Sequence, residues 1–210
     1  MQKQWPSRRA FLRMSPMLAS FAIATCSRRT ANSSLQTTQR SAQSQELPPT
    51  PACGDDEPTP SQTAGPFYTP NSPERKSLLE PNTVGTRILV TGQVLSSNCQ
   101  PIANALVDFW HTNDQGEYDN RGYTLRGHQF TDAEGFYRLE TIVPGIYPGR
   151  TRHFHVKVQA ANQPVLTTQL YFPEEPLNQG DQLFQPELLM TVEDRDEGKQ
   201  AVFTFVLAMG

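Results

Sequence analysis

Residues 144–158 read PGIYPGRTRHFHVKV, and this stretch predicts both the fold class and the position of a site. His153 and His155 lie two residues apart in a run that otherwise alternates with apolar side chains. Because successive side chains of a β-strand point to opposite faces, both imidazoles leave one face while the apolar residues enter a core. Tyr147 precedes them in a Pro-Gly turn that can direct a phenol toward the same place. The alternative is a half-buried strand that carries two histidines by chance behind a common turn.

The rest of the chain repeats this two-residue alternation in short runs separated by turns. Besides residues 153–158, we predict strands at residues 88–94, 105–110, 136–142, 167–172, 188–192 and 201–208. No stretch has a convincing amphipathic helical pattern. The sequence therefore predicts an all-β protein, a β-sandwich of about seven or more strands. Residues 59–70 read as an irregular N-terminal arm across the core, and residues 113–127 form a loop long enough to be functional.

The charge distribution argues against nucleic acid as a partner. Of 18 basic residues four lie in residues 1–26, which carry no acid, so the remainder has 14 basic against 21 acidic residues. Binding to phosphates requires a basic surface, which this remainder does not offer. A chain of 210 residues with 36% hydrophobic residues is long enough to bury one sizeable core.

Residues 1–26 predict a targeting segment and not a part of the fold. Residues 7–12, SRRAFL, have the twin-arginine pattern and precede a short apolar run that ends at Cys26. Cys26 resembles the lipidated cysteine of a lipoprotein signal with one imperfect position, and ordinary cleavage without a lipid is the alternative. We therefore expect export by the twin-arginine route to the periplasm or the exterior, with a possible membrane anchor. Residues 27–52 are polar and predict a disordered linker, so the folded domain should span residues 53–210.

Two cysteines remain once Cys26 is set aside. An even number of remaining cysteines in an exported chain is consistent with a disulfide between Cys53 and Cys99. This disulfide would link the start of the domain to a turn after its first clear strand. Two free thiols are the alternative.

Two phenols and two imidazoles form a candidate metal-ligand set, namely Tyr118, Tyr147, His153 and His155. A free tyrosine ionises near pH ~10, so a phenolate at neutral pH requires a strong cation beside it. Anionic oxygens combined with imidazoles suit a hard trivalent ion better than Zn²⁺ or Cu⁺, and tyrosinate is a known ligand of ferric iron. We therefore expect ferric iron at this site.

In its motifs the sequence resembles the intradiol ring-cleaving dioxygenases, which include the catechol and protocatechuate dioxygenases. The resemblance covers residues 53–210 and rests on TPSQTAGPFY, GQVLSSNCQPIANALVDFWHTNDQGEYD, TLRGHQFTDAEGFY, PGIYPGRTRHFHVKV and LTTQLYF. It implies one non-haem ferric ion per chain, held by Tyr118, Tyr147, His153 and His155. It also implies that Tyr147 is the ligand that leaves when a catechol binds as a dianion.

The resemblance implies further roles around the iron. Arg150 matches an arginine that stabilises negative charge on the activated ring, and Gln169 matches a glutamine beside the iron. Pro66 and Tyr68 match residues of the substrate-pocket wall. The expected reaction takes a catecholic substrate and O₂ and cleaves the ring between its two hydroxyls to a cis,cis-muconate-type diacid. The chain departs from the dedicated catechol enzymes in a shorter segment before the histidines, which leaves the ring substituent and the oligomeric state open.

A class without catalysis is the main alternative. The segments PIANALV, TDAEGFY and PGIY also describe transthyretin-like or carboxypeptidase-regulatory-like modules, which bind partners or space domains. Such a module has no use for a His-x-His motif preceded by arginine, nor for Tyr118.

Two histidines are not assigned to the iron site in the dioxygenase interpretation. We expect His111 to be a half-buried residue at a strand end and His128 to be a loop residue.

Overall fold

Residues 57–209 are described in a computed structural model of the chain. Their nine strands are β1 Arg87–Ser96, β2 Leu106–Trp110, β3 Arg126–Phe130, β4 Phe136–Ile142, β5 His153–Gln159, β6 Leu166–Tyr171, β7 Thr191–Arg195, β8 Gly198–Val202 and β9 Phe205–Leu207. Two short 3-10 helices, Pro176–Gly180 and Pro186–Leu188, lie between β6 and β7. The predicted targeting segment, the linker and Cys53 lie outside the described residues. Within residues 57–209, no helix is long and apolar enough to cross a membrane.

The strands form two sheets, which confirms the predicted all-β sandwich. One sheet has the order β4-β1-β8-β7, with β9 also paired to β1, and the other has the order β3-β2-β5-β6. All neighbours in the second sheet are antiparallel. In the first sheet β1 pairs antiparallel with β4 but parallel with β8 and β9. The predicted seven strands or more are therefore present, within a mixed sheet and an antiparallel sheet.

The core lies between the two sheets, as the alternation in β5 predicts. Phe154, Val156 and Val158 are fully buried and belong to one apolar cluster with residues of both sheets. Burial of each such side chain contributes roughly 1.5–3 kcal/mol, so this cluster is the main source of the domain's stability. The inward face of β5 therefore fixes the outward direction of His153 and His155.

The outward face of the second sheet is covered by the N-terminal arm, which crosses it from Gln62 beside β6 to Pro73 beside β3. His153 and His155 are only 4% and 3% exposed, although they point away from the core. The arm is joined to the sheet by backbone hydrogen bonds, among them Gln62 N to Thr167 O at 2.7 Å and His128 N to Pro73 O at 3.0 Å. The irregular arm that the sequence predicts is thus the cover of the face that carries the histidines.

Two predicted strands differ from the structure by more than a residue or two at their ends. Residues 188–192 were expected to form one strand, but Leu188 ends a 3-10 helix and the strand β7 begins only at Thr191. Leu188 and Met190 enter the core, and this segment pairs with β6 only through a single bridge between Leu189 and Tyr171. The expected strand over residues 201–208 is divided into β8 and β9.

The division between β8 and β9 depends on Gly92 in β1. The two strands pair with β1 on either side of Gly92, at Ile88–Thr91 and at Val94–Ser96. A Cβ at position 92 would lie 1.7 Å from the Phe203 carbonyl oxygen, so only glycine allows this close approach. The Phe203 amide donates to Thr91 O, which keeps the connecting residues against β1.

Candidate active site

Strand β5 brings the two histidines to one point. His153 Nε2 and His155 Nε2 lie 3.2 Å apart, with the ring planes nearly perpendicular at 78°. His153 Nδ1 lies 2.7 Å from the Thr151 carbonyl, which can only accept, so the proton is on Nδ1 and the Nε2 lone pair faces His155. Burial, with Arg150 nearby, lowers the pKa of His153 to about 4, and burial lowers the pKa of His155 well below its usual value. Both rings are therefore neutral near pH ~7, as metal-ligating imidazoles must be.

Tyr118 joins this point from the loop between β2 and β3. Its hydroxyl lies 3.4 Å from His153 Nε2. The loop is held in shape by Asp119, whose carboxylate accepts the amides of Arg121, Gly122 and Thr124 at 2.8 to 3.0 Å. Burial raises the pKa of Tyr118 to about 12, although the charges of Arg150 and Arg126 oppose it. Tyr118 therefore stays a neutral phenol unless a cation lies beside it.

Tyr147 lies in the turn after β4 and is brought close by contact between two loops. Its ring centroid is 5.9 Å from that of Tyr118. The two loops meet at Gly145, whose amide donates to Asn113 O at 2.7 Å. A Cβ at position 145 would lie 2.3 Å from the Gly116 amide nitrogen, so the approach requires glycine there. The PGxY pattern thus has a structural reason: its glycine places Tyr147 beside Tyr118.

The gathered side chains fit a hard, highly charged cation. Two Nε2 lone pairs at 3.2 Å repel each other unless a proton or a cation lies between them. Within residues 57–209, no three His, Cys, Asp or Glu side chains form a cluster that could hold a metal, so the phenol oxygens are essential to such a site here. Two neutral imidazoles with phenol oxygens suit ferric iron better than a soft ion. Three of the four predicted ligands, His153, His155 and Tyr118, are thus in contact, and Tyr147 lies beside Tyr118. The role of all four as ligands stays a prediction.

Arg150 and Gln169 meet beside the histidines. Arg150 donates from Nη2 to Gln169 Oε1 at 2.6 Å and from Nε to Asp181 Oδ2 at 2.8 Å. Gln169 is opposite His155 in the register of β5 and β6, and its Nε2 donates to Thr63 O in the arm. Asp181 is the partner that sequence reasoning missed, because it belongs to a polar connecting segment with no motif. Arg150 is thereby held next to Gln169, on the β6 side of the two histidines.

Three consecutive residues of the arm, Pro66, Phe67 and Tyr68, have different surroundings. Tyr68 packs on Trp110, and its hydroxyl donates to Asp108 Oδ2 at 3.2 Å, so its polar end is engaged by Asp108. Pro66 is exposed. The arm residue that contacts both phenol rings is Phe67, which stacks on Tyr118 at 4.6 Å and meets Tyr147 edge-on at 5.4 Å. The pocket-wall assignment of Pro66 and Tyr68 stays a prediction, and Phe67 is the neighbour that sequence reasoning missed.

Trp110 is a second neighbour that the sequence did not reveal. Its indole stacks on the His155 ring at 4.9 Å with only 4° between the planes. The two residues are directly opposite in the register of β2 and β5, so both side chains leave the same face. Trp110 therefore fixes the orientation of the His155 ring through apolar contact. An aromatic residue at the end of a predicted strand was the only available signal.

The two remaining histidines lie apart from the ligand set. His111 is fully buried and not half-buried, because its ring has hydrogen-bond partners on both sides, Thr112 O at 2.8 Å and Thr141 Oγ1 at 2.7 Å. His128 lies in strand β3 and not in a loop, and its Nδ1 is 3.2 Å from Ser72 Oγ. The expectation that the loop extends to residue 127 was wrong because polar side chains of β3 are buried under the arm.

The fold and the gathered side chains define a β-sandwich whose covered outer face brings two imidazoles and a phenol into contact. A family model described as "Dioxygenase" matches residues 63–208. A curated relative, the protocatechuate 3,4-dioxygenase beta chain of Burkholderia cepacia, is 37% identical over 120 residues, covering 49% of this chain and 51% of the relative. The catechol 1,2-dioxygenase of Pseudomonas sp. (strain EST1001) is 28% identical over 153 residues, covering 60% of this chain and 51% of that protein.

A solved structure gives a more extensive match. The dioxygenase domain of a dioxygenase–carbohydrate-binding protein fusion from Streptomyces sp. SirexAA-E is 51% identical with a TM-score of 0.72, covering 73% of this chain and 100% of that chain. The chain spans about half the length of the first curated relatives it matches, 51% of each. With the family model matched over most of the described residues, the chain belongs to the intradiol ring-cleavage dioxygenase family.

Proposed function

We propose that this chain cleaves a catecholic ring between its two hydroxyls, with O₂ as co-substrate and one non-haem ferric ion per chain. The observation that carries the proposal is the approach of His155 Nε2 and the Tyr118 hydroxyl to His153 Nε2, at 3.2 and 3.4 Å. A transthyretin-like module without catalysis does not need such a cluster, and the family assignment also favours the enzyme.

The ferric ion would be held by His153, His155, Tyr118 and Tyr147. When bound, it supplies Lewis-acid chemistry that makes a coordinated catecholate reactive toward O₂. Ferrous enzymes that cleave beside the two hydroxyls use two histidines and a carboxylate, whereas the nearest oxygen groups here are phenols. The donor set therefore supports cleavage between the hydroxyls.

Tyr147 is suited to receive a proton from the incoming substrate. It lies in a turn and not in a sheet, so its side chain can move from the imidazoles without disturbing a strand. Once away from the ion, the Tyr147 oxygen would be free to act as a local base and accept a proton from a catechol hydroxyl. Tyr118 stays in place because Phe67 stacks on its ring.

Arg150 and Gln169 orient and stabilise the substrate ring. The guanidinium is fixed by Asp181 and Gln169 before substrate arrives, so little reorganisation is needed when negative charge develops on the ring. Phe67 and Trp110 contribute apolar surface around the imidazoles and limit the access of water. We assign no basic side chain to a carboxylate on the substrate ring. We therefore propose the catechol class without a particular ring substituent.

We also propose export through the twin-arginine route, lipidation at Cys26 and a disulfide between Cys53 and Cys99. The support is the SRRAFL motif, the cysteine that ends the apolar run and the even number of cysteines that remain. Mass spectrometry of the mature protein from its host tests all three. A lipid-modified N-terminus at Cys26 and a non-reduced peptide that links the other two cysteines are expected. An unmodified N-terminus at another residue contradicts the lipid.

The catalytic proposal is tested by mixing the iron-loaded full chain in air with a panel of catechols that carry no substituent, a carboxylate, a chloride or a third hydroxyl. We expect uptake of one O₂ per ring and a colourless product that absorbs in the ultraviolet, because both oxygen atoms enter a ring that opens to a diacid. His155→Ala is the control and should neither bind iron nor consume O₂. A yellow semialdehyde product would contradict the ferric assignment. No O₂ uptake with any catechol by iron-replete protein would contradict the proposed function.

A further inference from the structure

Arg126 is a buried arginine whose position relates it to the proposed metal centre. It is the first residue of β3 and only 1% exposed. In the register of the sheet it is opposite Trp110, which is in turn opposite His155, so all three side chains leave the same face. A buried arginine usually pairs with a carboxylate, because an uncompensated charge is costly to bury. In residues 57–209, no carboxylate forms an ion pair with Arg126.

The donors of Arg126 instead reach two backbone carbonyls from distant parts of the chain. Nε and Nη2 both donate to Asp119 O, at 3.0 and 2.7 Å. Nη1 donates to Phe67 O at 2.7 Å. Asp119 directly follows Tyr118, and Phe67 stacks on the Tyr118 ring at 4.6 Å. One side chain therefore holds the residue after Tyr118 and the residue that packs on Tyr118.

We propose that Arg126 is the positioning residue for Tyr118: its guanidinium fixes the Tyr118 loop and the N-terminal arm to each other and to the sheet that carries the histidines. This inference rests on the proposed function, since it assigns the arrangement to an iron ligand. A planar guanidinium presents several donors in a fixed geometry and can serve both carbonyls at once, whereas a lysine ammonium is a point charge on a flexible chain. The requirement for two simultaneous carbonyl contacts explains why an arginine is buried here without an acidic partner.

The consequence for the site is a defined position of the Tyr118 oxygen. This oxygen lies 3.4 Å from His153 Nε2, and no strand holds it there because Tyr118 belongs to a loop. Groups that orient a metal ligand from behind typically contribute 10–100-fold to metal affinity or activity, by order of magnitude. Loss of the Arg126 contacts should therefore weaken iron binding and change the geometry of the phenolate, while the histidines stay in place on β5.

The test compares Arg126→Lys and Arg126→Met with Arg75→Met in the full chain. Arg75 is a matched control, because it also donates to backbone carbonyls, Tyr123 O in the Tyr118 loop and Arg126 O at the start of β3, but its hydrogen bonds reach neither Phe67 nor Asp119. Three quantities are measured: the dissociation constant for ferric iron, the visible phenolate-to-iron absorption band, and hydrogen–deuterium exchange of the metal-free protein. Exchange is followed over residues 63–70 and 117–125.

We expect both Arg126 variants to bind iron roughly 10–100-fold more weakly and to show a shifted, weaker band. Exchange should rise in both segments together, because one side chain joins them. Arg75→Met should loosen its own surroundings but keep the wild-type band and an iron affinity within about threefold, because it does not touch either neighbour of Tyr118.

Three results would overturn the inference. Wild-type exchange in both segments of the Arg126 variants would show that the contacts hold nothing in place. A wild-type band in Arg126→Lys would show that the charge suffices without the paired contacts. Equal effects of Arg75→Met on iron would show a general loss of stability. If the wild-type chain itself takes up no iron and shows no band, the proposed function fails, while the exchange data still decide whether Arg126 joins the two segments.

Discussion

Replacement of Arg150 by methionine separates a role in turnover from a role in stability. The Arg150 guanidinium is bound by Asp181 and Gln169, and its side chain is 18% exposed. Methionine removes the charge and every donor but keeps a flexible, unbranched side chain. Arg152→Met is a matched control, since Arg152 forms a comparable pair with Glu175 at 2.6 Å and is 22% exposed. The partners of Arg152 are Glu175 and the Pro144 carbonyl, and Gln169 is not among them.

The expected loss of stability is similar for the two variants. A hydrogen bond to a charged group contributes about 1.5–3 kcal/mol. Asp181 keeps the amides of Thr151 and Leu183 when Arg150 is lost, so its carboxylate is not left without partners. We therefore expect each variant to lose roughly 1–3 kcal/mol of unfolding free energy, which lowers Tm by about 3–10 °C.

The expected losses of turnover differ. Under the proposed function Arg150 would lie where negative charge develops on the substrate ring, and a preorganised donor acts mainly in the transition state. Arg150→Met should therefore lower kcat about 100-fold, or ~2.7 kcal/mol of barrier. Arg152→Met should lower kcat by less than about threefold, because Arg152 reaches the site only through the Pro144 carbonyl in the turn before Tyr147 and pairs otherwise with Glu175. O₂-electrode rates over a range of catechol concentrations, normalised to bound iron, give kcat and KM, and calorimetry gives Tm.

Two outcomes would refute this reasoning. If Arg150→Met raises KM and leaves kcat unchanged, the guanidinium binds the substrate without stabilising the transition state. If both variants lose the same stability and the same turnover, the pair of Arg150 with Asp181 is only structural.

Two other predictions concern the ligands and acid stability. Tyr147→Phe should retain more iron than His155→Ala and shift the red-brown absorption, because Tyr147 comes from a turn whereas His155 is fixed by its strand; equal iron loss in both would contradict this. The pKa of Asp181 lies below its usual value of 3.8, because burial is outweighed by hydrogen bonds from Leu183, Thr151 and Arg150. Its contribution to stability is therefore complete above pH 3.8 and is lost as the pH falls through the folded-state pKa. Urea unfolding of the metal-free protein should show this acid loss, and Asp181→Asn should lack it; an unchanged acid profile in the variant would count against Asp181 as its source.

The sequence predicts the strands of this fold where side chains alternate and fails where burial has another cause. Strand β5 was predictable because its apolar residues face the core at every second position. Strand β3, RGHQF, was missed because Arg126 and Gln129 are polar and yet buried. Arg126 is bound to Phe67 O in the arm, and Gln129 accepts the Arg138 amide of β4, so the burial of both depends on contacts that local periodicity does not reveal. The apolar residues before β7 were misassigned for the opposite reason, since they enter the core from a 3-10 helix.

The residues predicted as ligands have local signals in the sequence, whereas most of their neighbours do not, and their role as ligands stays a prediction. Two histidines on one face of a strand and a tyrosine in a Pro-Gly turn have local signals in the sequence. Phe67 and Asp181 have none, because each contacts the site through a segment distant in sequence. The hydrogen bond of the Tyr68 hydroxyl to Asp108 likewise had no local signal, and the pocket-wall assignment of Tyr68 stays a prediction.

The arm that covers the histidines also sets an order of assembly. It includes Gly65, where an added Cβ would lie 3.4 Å from the His155 ring, and it precedes every strand in the chain. During synthesis the arm is therefore made before the strands of the domain, but it can pack on the sheet only after β5 and β6 have been made and paired. The ferric ion that we propose would therefore be acquired before the arm settles over the histidines. Its release would require the arm to be displaced again, so retention of the metal would report on how firmly this first-made segment is held.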